Sequence, residues 1–184
     1  MSIMKSLLFA LPLLVLLLTP AVDMATVSST ACCPDNFTTL EGRCIFIATD
    51  YFFAPSMVPG KNWTRARELC TSMFGEGDLW KADLPIIDVP FLAAFSSHIV
   101  QNLPGMKGYI YWVGSEKVNG QWKWIDGTPI SNTSYLWHIS HPASALSDGV
   151  NGMLVPSGAF NRFYMYEYES PSWGPSYLCE AKRR

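Results

Sequence analysis

Charge is scarce in this chain: only 15% of its residues are Asp, Glu, Lys or Arg, and their formal sum is -2. No basic run occurs apart from Lys182-Arg183-Arg184, which reads as a solvated tail. Counterion release then has little to act on, so nucleic acid is not an expected partner. Catalytic signatures are missing as well. There is no Gly-x-Ser-x-Gly, no His-Glu-x-x-His and no phosphate loop. Ser, His and Asp fall together in "HPASALSD", but one irregular loop offers nothing to orient them as a triad. The chain is read as a binding protein, not an enzyme.

Long apolar runs are confined to the start. After Lys5, "SLLFALPLLVLLLTPA" has a positive lead, an apolar stretch and then small residues, the layout of a secretory signal peptide. Pro12 and Pro20 leave too short an unbroken run to span the ~30 Å hydrocarbon layer. A signal peptide is expected over residues 1–25, with cleavage after Ala21, Ala25 or Ala31, and a polar tail over 26–32. The expectation is a secreted, extracellular protein with no membrane insertion once the signal is removed. Export lets the five cysteines, Cys32, Cys33, Cys44, Cys70 and Cys179, be read as disulfide partners. Sequons at Asn36, Asn62 and Asn132 fit a glycoprotein.

What is abundant is aromatic: 14% of residues are Phe, Trp or Tyr, as in a packed domain. "CCPDNFTTLEGRCIFI" reads as a short hairpin with a strand at Cys44–Ile47. In "NWTRARELCTSMFG", Trp63, Ala66, Cys70 and Met73 recur on one helical face, with Asn62 as cap and Gly75 as stop. An Asn engaged as a cap is poorly presented for glycosylation, so Asn62 ranks last of the three sequons. A second helix is predicted in "DVPFLAAFSSHIVQN", capped by Asp88. "GYIYWVGS" and "QWKWI" then read as strands joined at Asn119-Gly120, with Trp122 and Trp124 on one face. Residues 128–149 form a long irregular loop, and strands return in "GMLV", "AFNRFYMYEY" and "SYLCEAK". The class is α+β, in one domain over residues 33–182.

These segments resemble one family, the C-type lectin-like domain in its long form. "CPDNFTTLEGRC", "NWTRARELC", "YWVGS", "QWKWIDGTPI" and "YLCEAK" occur in the family's order and spacing. The resemblance implies two helices with two small antiparallel sheets and a long loop region. It pairs Cys33 with Cys44 and Cys70 with Cys179. The family's further bridge under the long loop would fall near Asn151 and Pro171, and both cysteines are absent, so the loop is expected to be mobile. In sugar-binding members a triplet of acid or amide, proline and asparagine or aspartate holds calcium in that loop, with a nearby Glu and an Asn-Asp pair. Here the triplet reads His141-Pro142-Ala143 and the pair reads Tyr166-Glu167-Tyr168, leaving Asp148 and Glu167 as oxygen donors. Calcium takes six to eight oxygens, so the primary site is expected to be absent or weak, with no resident metal. His138 and His141 make a poor zinc pair with only Asp148 beside them, and read as exposed loop histidines.

The ligand-binding candidates are therefore Trp137, His141, Asp148, Tyr166, Glu167 and Tyr168. Tyr135, Tyr164 and Trp173 add further rings, at least half of the set being expected to pack internally. The expected partner is a glycan on a microbial or cell surface, bound without calcium or nearly so, with the innate immune role that the resemblance suggests. The alternative is a protein ligand. Cys32 is left over, either as a capped or buried thiol or as an intermolecular bridge; the bridge is favoured because exposed thiols oxidise outside cells. A non-reducing gel is expected to show a dimer that reductant collapses, and an unshifted monomer band rejects the bridge.

Overall fold

The computed structural model describes residues 33–48, 62–143, 148–158, 161–168 and 175–184. Cys32, Trp173 and the signal segment lie outside them. The elements run β1 (Thr38–Leu40), β2 (Arg43–Ile47), α1 (Trp63–Thr71), β3 (Trp80–Asp83) and α2 (Val89–Asn102). They continue through a 3-10 turn at Pro104–Met106 to β4 (Tyr111–Val118), β5 (Gln121–Trp124), β6 (Asn151–Ser157), β7 (Arg162–Tyr168) and β8 (Ser176–Arg183).

Both helices begin where the sequence places them. Asn62 Oδ1 accepts from the Arg65 N–H at 2.8 Å, and Asp88 Oδ1 accepts from the Phe91 N–H at 2.8 Å. α1 stops at Thr71, four residues before Gly75, because Ser72 takes the cap and donates its N–H back to Cys70 and Glu68. Gly75 instead opens a separate turn, its N–H bonded to Asp78. The hairpin at Asn119-Gly120 forms as expected, with φ of 52° and 75°. β3 was missed in the sequence: "WKAD" does alternate apolar and polar residues, but only over four positions.

The two expected sheets are present, but they are joined. β1, β2, β8 and β3 make one antiparallel sheet, and β5, β4, β6 and β7 make the other. A parallel pairing of Tyr111 with Ser176 and Trp112 with Tyr177 links β4 to β8. β8 can serve both because its first residues meet β4 while its later ones lie between β2 and β3.

β4 is buried on both faces, which explains its unbroken apolar run. Tyr111 and Val113 face the core built on Phe91, Phe95 and Ile99 of α2. Trp112 faces the core built on Trp63, Ala66 and Cys70 of α1. The Trp63 indole N–H donates to Val113 O at 2.8 Å, fixing α1 on the strand. Both implied disulfides are formed, Cys33–Cys44 and Cys70–Cys179. The second spans 109 residues and fastens α1 to β8. Closing a loop of that length contributes up to about 4.7 kcal/mol by restricting the unfolded chain.

β4 and β6 approach so closely at Ser115 that Gly152 has no space for a side chain. A Cβ built there would lie 1.9 Å from Ser115 Oγ. Gly152→Ala is expected to cost about 1–3 kcal/mol by overpacking. Denaturant midpoints should show that loss, and Ser115→Ala in the same chain should recover most of it.

Candidate functional site

The long loop is not free over its described length. Leu136 and Trp137 turn inward, 6% and 5% exposed, and the Trp137 ring meets Trp122 edge-on at 4.9 Å. The Trp137 indole N–H donates to Ser131 O at 3.1 Å. Trp137 is therefore core, a correction to its place among the ligand candidates; Trp122 supplies a wall that the sequence alone does not pair with it.

Beyond Trp137 the loop runs along the edge strand β7. Met165 N–H donates to Leu136 O at 2.7 Å, and His138 N–H donates to Met165 O at 3.0 Å. Backbone bonds thus fasten the loop to β7 through residue 143, although no disulfide pins it. The rest of the loop, 144–147, lies outside the described residues.

Glu167 closes this segment. Its Oε2 lies 2.7 Å from His141 Nδ1, and its Oε1 accepts the Ala143 N–H at 2.9 Å. The Glu167 side chain is 6% exposed and that of His141 27%. Both oxygens of the carboxylate are thereby engaged by the chain's own donors. The sequence displayed His141 and Glu167, but their separation of 26 residues hid the pair. Asp148 stands elsewhere. It accepts the Gly120 N–H at 2.8 Å and so ties the loop's far end to the β4–β5 turn.

Alternation along β7 sends Phe163 and Met165 into the core and leaves Tyr164, Tyr166 and Tyr168 half-buried on the other side. His138 stacks on Tyr166 at 4.8 Å with an interplanar angle of 20°, and meets Tyr164 edge-on at 5.4 Å. His141 lies 4.3 Å from the Tyr166 ring. The two histidines are therefore half-buried parts of a ring cluster, not the freely exposed loop residues expected. Arg162 covers Tyr164 at 4.8 Å. Burial, and then the charge of Glu167, raises the Tyr166 hydroxyl above the ordinary tyrosine range, keeping it a proton donor at neutral pH. Tyr166 and Tyr168 both also pack against the second core cluster. Tyr135 and Ile139 project from the same loop, 85% and 82% exposed. Asn36 and Asn132 are exposed, and Asn62 is exposed while its oxygen serves as the helix cap.

An α+β domain with joined sheets, a bridged first helix and a long loop laid along an edge strand defines a lectin-type recognition fold. A family model described as "Lectin C-type domain" matches residues 59–152, half of the sequence. The chain belongs to the C-type lectin domain family, whose members bind carbohydrate and are not enzymes. It is 26% identical to human C-type lectin domain family 4 member C over 68% of this chain and 50% of that protein. It is 28% identical to mouse asialoglycoprotein receptor 1 over 68% of this chain and 36% of that one. The chain thus spans about half the length, or less, of the curated relatives it matches. Its fold is similar to that of CEL-I from Cucumaria echinata, with a TM-score of 0.60 at 14% identity over 83% of this chain and 99% of that one. It is also similar to the lectin domain of murine dendritic cell inhibitory receptor 2, solved with an N-glycan, with a TM-score of 0.55 at 21% identity over 83% and 99%.

Glu167→Ala is expected to free the loop from β7. It leaves the Ala143 N–H without its acceptor, a loss of about 1–3 kcal/mol. Hydrogen exchange at Ala143 should then quicken while exchange along β4 stays slow.

Proposed function

We propose that this chain is a secreted recognition domain that binds carbohydrate without a resident calcium ion, through the ring platform of His138, Tyr164 and Tyr166. The observation carrying this reading is the engagement of Glu167. A tight calcium site needs six to eight oxygens, and here the carboxylate best placed to contribute has both oxygens bonded to His141 and Ala143. Ala143 brings no side-chain oxygen, and Asp148 is drawn to the β4–β5 turn. The donor set present does not fit the ion. Rings held at fixed angles can instead stack on the apolar face of a pyranose, and the Tyr166 hydroxyl and the histidine nitrogens supply directional hydrogen bonds.

The N-terminal apolar segment supports secretion, and the exposed sequons at Asn36 and Asn132 suit an extracellular glycoprotein. A role in innate immunity on microbial surfaces is consistent with this reading and rests on the family resemblance. A second reading, a protein ligand, is favoured by Ile139. An aliphatic side chain 82% exposed beside the platform has no stacking face for sugar but suits an apolar protein contact.

A glycan array run in calcium and then in chelator tests the proposal. Equal binding in both buffers is expected, and Tyr166→Ala should weaken it by about tenfold, the worth of one aromatic contact. Binding only in calcium overturns the calcium-free reading. No binding in either buffer, with a protein co-purifying instead, favours the second reading.

A further inference from the structure

Beside the ring platform one cation stands out by what it lacks. Arg162 opens β7, and the strand's alternation puts it on the same side as Tyr164 and Tyr166. Its guanidinium carbon lies 4.8 Å from the centre of the Tyr164 ring. Among the described residues the guanidinium meets that ring and has no carboxylate or other acceptor, so its five N–H donors stay available.

Two other arginines of this chain are built the same way, and both hold an acid. Arg43 lies 4.4 Å over Phe91 and takes Glu180 through Nε at 3.0 Å and Nη2 at 2.8 Å. Arg67 lies 5.6 Å over Trp63 and takes Asp83 through Nε at 3.0 Å and Nη2 at 3.1 Å. In each, the ring fixes the plane of the guanidinium while its fork engages both oxygens of a carboxylate. Arg183 lies 5.3 Å over Trp80, but it is exposed within the basic tail. Arg162 is half-buried, and it has the ring and the fork without the acid.

A half-buried cation gives up part of its hydration, and a ring face returns only some of that stabilisation. The carboxylates of the site do not supply the rest. Glu167 is bonded to His141 and Ala143, and Asp148 to the Gly120 N–H. The histidines suit hydroxyls instead. His138 Nδ1 donates to Ile139 O at 3.0 Å and His141 Nδ1 faces Glu167, so each neutral ring keeps Nε2 as an acceptor. An acidic substituent needs a fixed positive charge, and Arg162 provides one at the end of the platform.

We propose that Arg162 sets the specificity of the ring platform, selecting a sugar that carries an acidic group, a carboxylate or a sulfate. This rests on the platform being the sugar site. The fork takes two oxygens of the acid, and Ser157, directly opposite on β6, adds its hydroxyl. An acid held there places its sugar ring beside Tyr164 and His138, about 7 Å along the strand.

The test is a titration of ¹⁵N-labelled full-length protein in chelator, read at the amides of β7 and of residues 136–143. The probes are glucose, glucuronic acid, glucose 6-sulfate and inorganic sulfate. An acidic sugar is expected to bind about tenfold more tightly than glucose, the size of one charge-assisted hydrogen bond, and the tighter of the two identifies the acid. Arg162→Gln should bring that ratio close to one. Arg162→Lys, which keeps the charge and loses the fork, should restore only part of it. A merely structural role for Arg162 would leave the ratio unmoved, since a loss of stability affects both sugars alike. Equal binding of glucose and the acidic sugars overturns the role of Arg162 and leaves the ring platform standing, whereas no shift with any sugar overturns both. An acidic preference that survives Arg162→Gln also overturns the proposal. So does a response to inorganic sulfate equal to that for the acidic sugars, which marks an adventitious ion only.

Discussion

The double burial of β4 is the constraint on which the remaining elements depend. A strand covered on both faces must be apolar at successive positions, and "YWV" at 111–113 meets that demand with three side chains of no measurable exposure. Its two faces assign the helices, α2 against Tyr111 and Val113 and α1 against Trp112. Its two edges assign the strands. β6 runs along one edge, while the other is divided between β8 near Tyr111 and β5 near Ser115. Gly114 lets the chain after β3 press against the strand: a Cβ there would lie 2.9 Å from Leu84 O, and Pro85 O accepts the Gly114 N–H at 2.9 Å. Two polar costs are visible, the buried hydroxyls of Tyr111 and Ser115, neither with a hydrogen-bond partner among the described residues. Burial pushes the ionisation of Tyr111 far above the ordinary range.

From that centre the site is reached in two steps. β6 pairs with β7 over seven residues, from Asn151 with Tyr168 to Ser157 with Arg162, and so carries the frame outward to an edge. The loop then covers that edge. Its backbone bonds to Met165 do what a further strand would, and the alternation of β7 turns Tyr164 and Tyr166 to the same side as the histidines of the loop. An exposed sheet edge is an aggregation hazard, and covering it with a functional loop serves two ends with one segment.

Much of the frame was legible from the residues. Caps at Asn62 and Asp88, positive φ at Asn119-Gly120 and the tryptophan pair on β5 are local signals, decided within a few positions. The disulfide pairing was available only through family resemblance, because spacing leaves the connectivities open. The site was less legible. Trp137 looked like a ligand ring because nothing nearby in sequence announces Trp122 as its neighbour. The His141–Glu167 contact joins residues 26 positions apart along the chain, and no local pattern announces it. Composition announced rings; only register could say which faced out.

A carboxylate as enclosed as that of Glu167 has to be met by positive charge or by N–H donors, since an unanswered buried charge is among the costliest features a fold can carry. A metal ion is one answer, and a histidine with a backbone amide is another. The second answer comes from the chain itself: His141 and the Ala143 amide hold Glu167 and with it the loop against β7. It also changes what the surface can read. A coordinated metal recognises paired hydroxyls by geometry, whereas a histidine–tyrosine stack recognises flat C–H faces and the few hydrogen bonds at their rim. On the proposed reading, the frame of a lectin is kept while its specificity passes from ion coordination to ring shape.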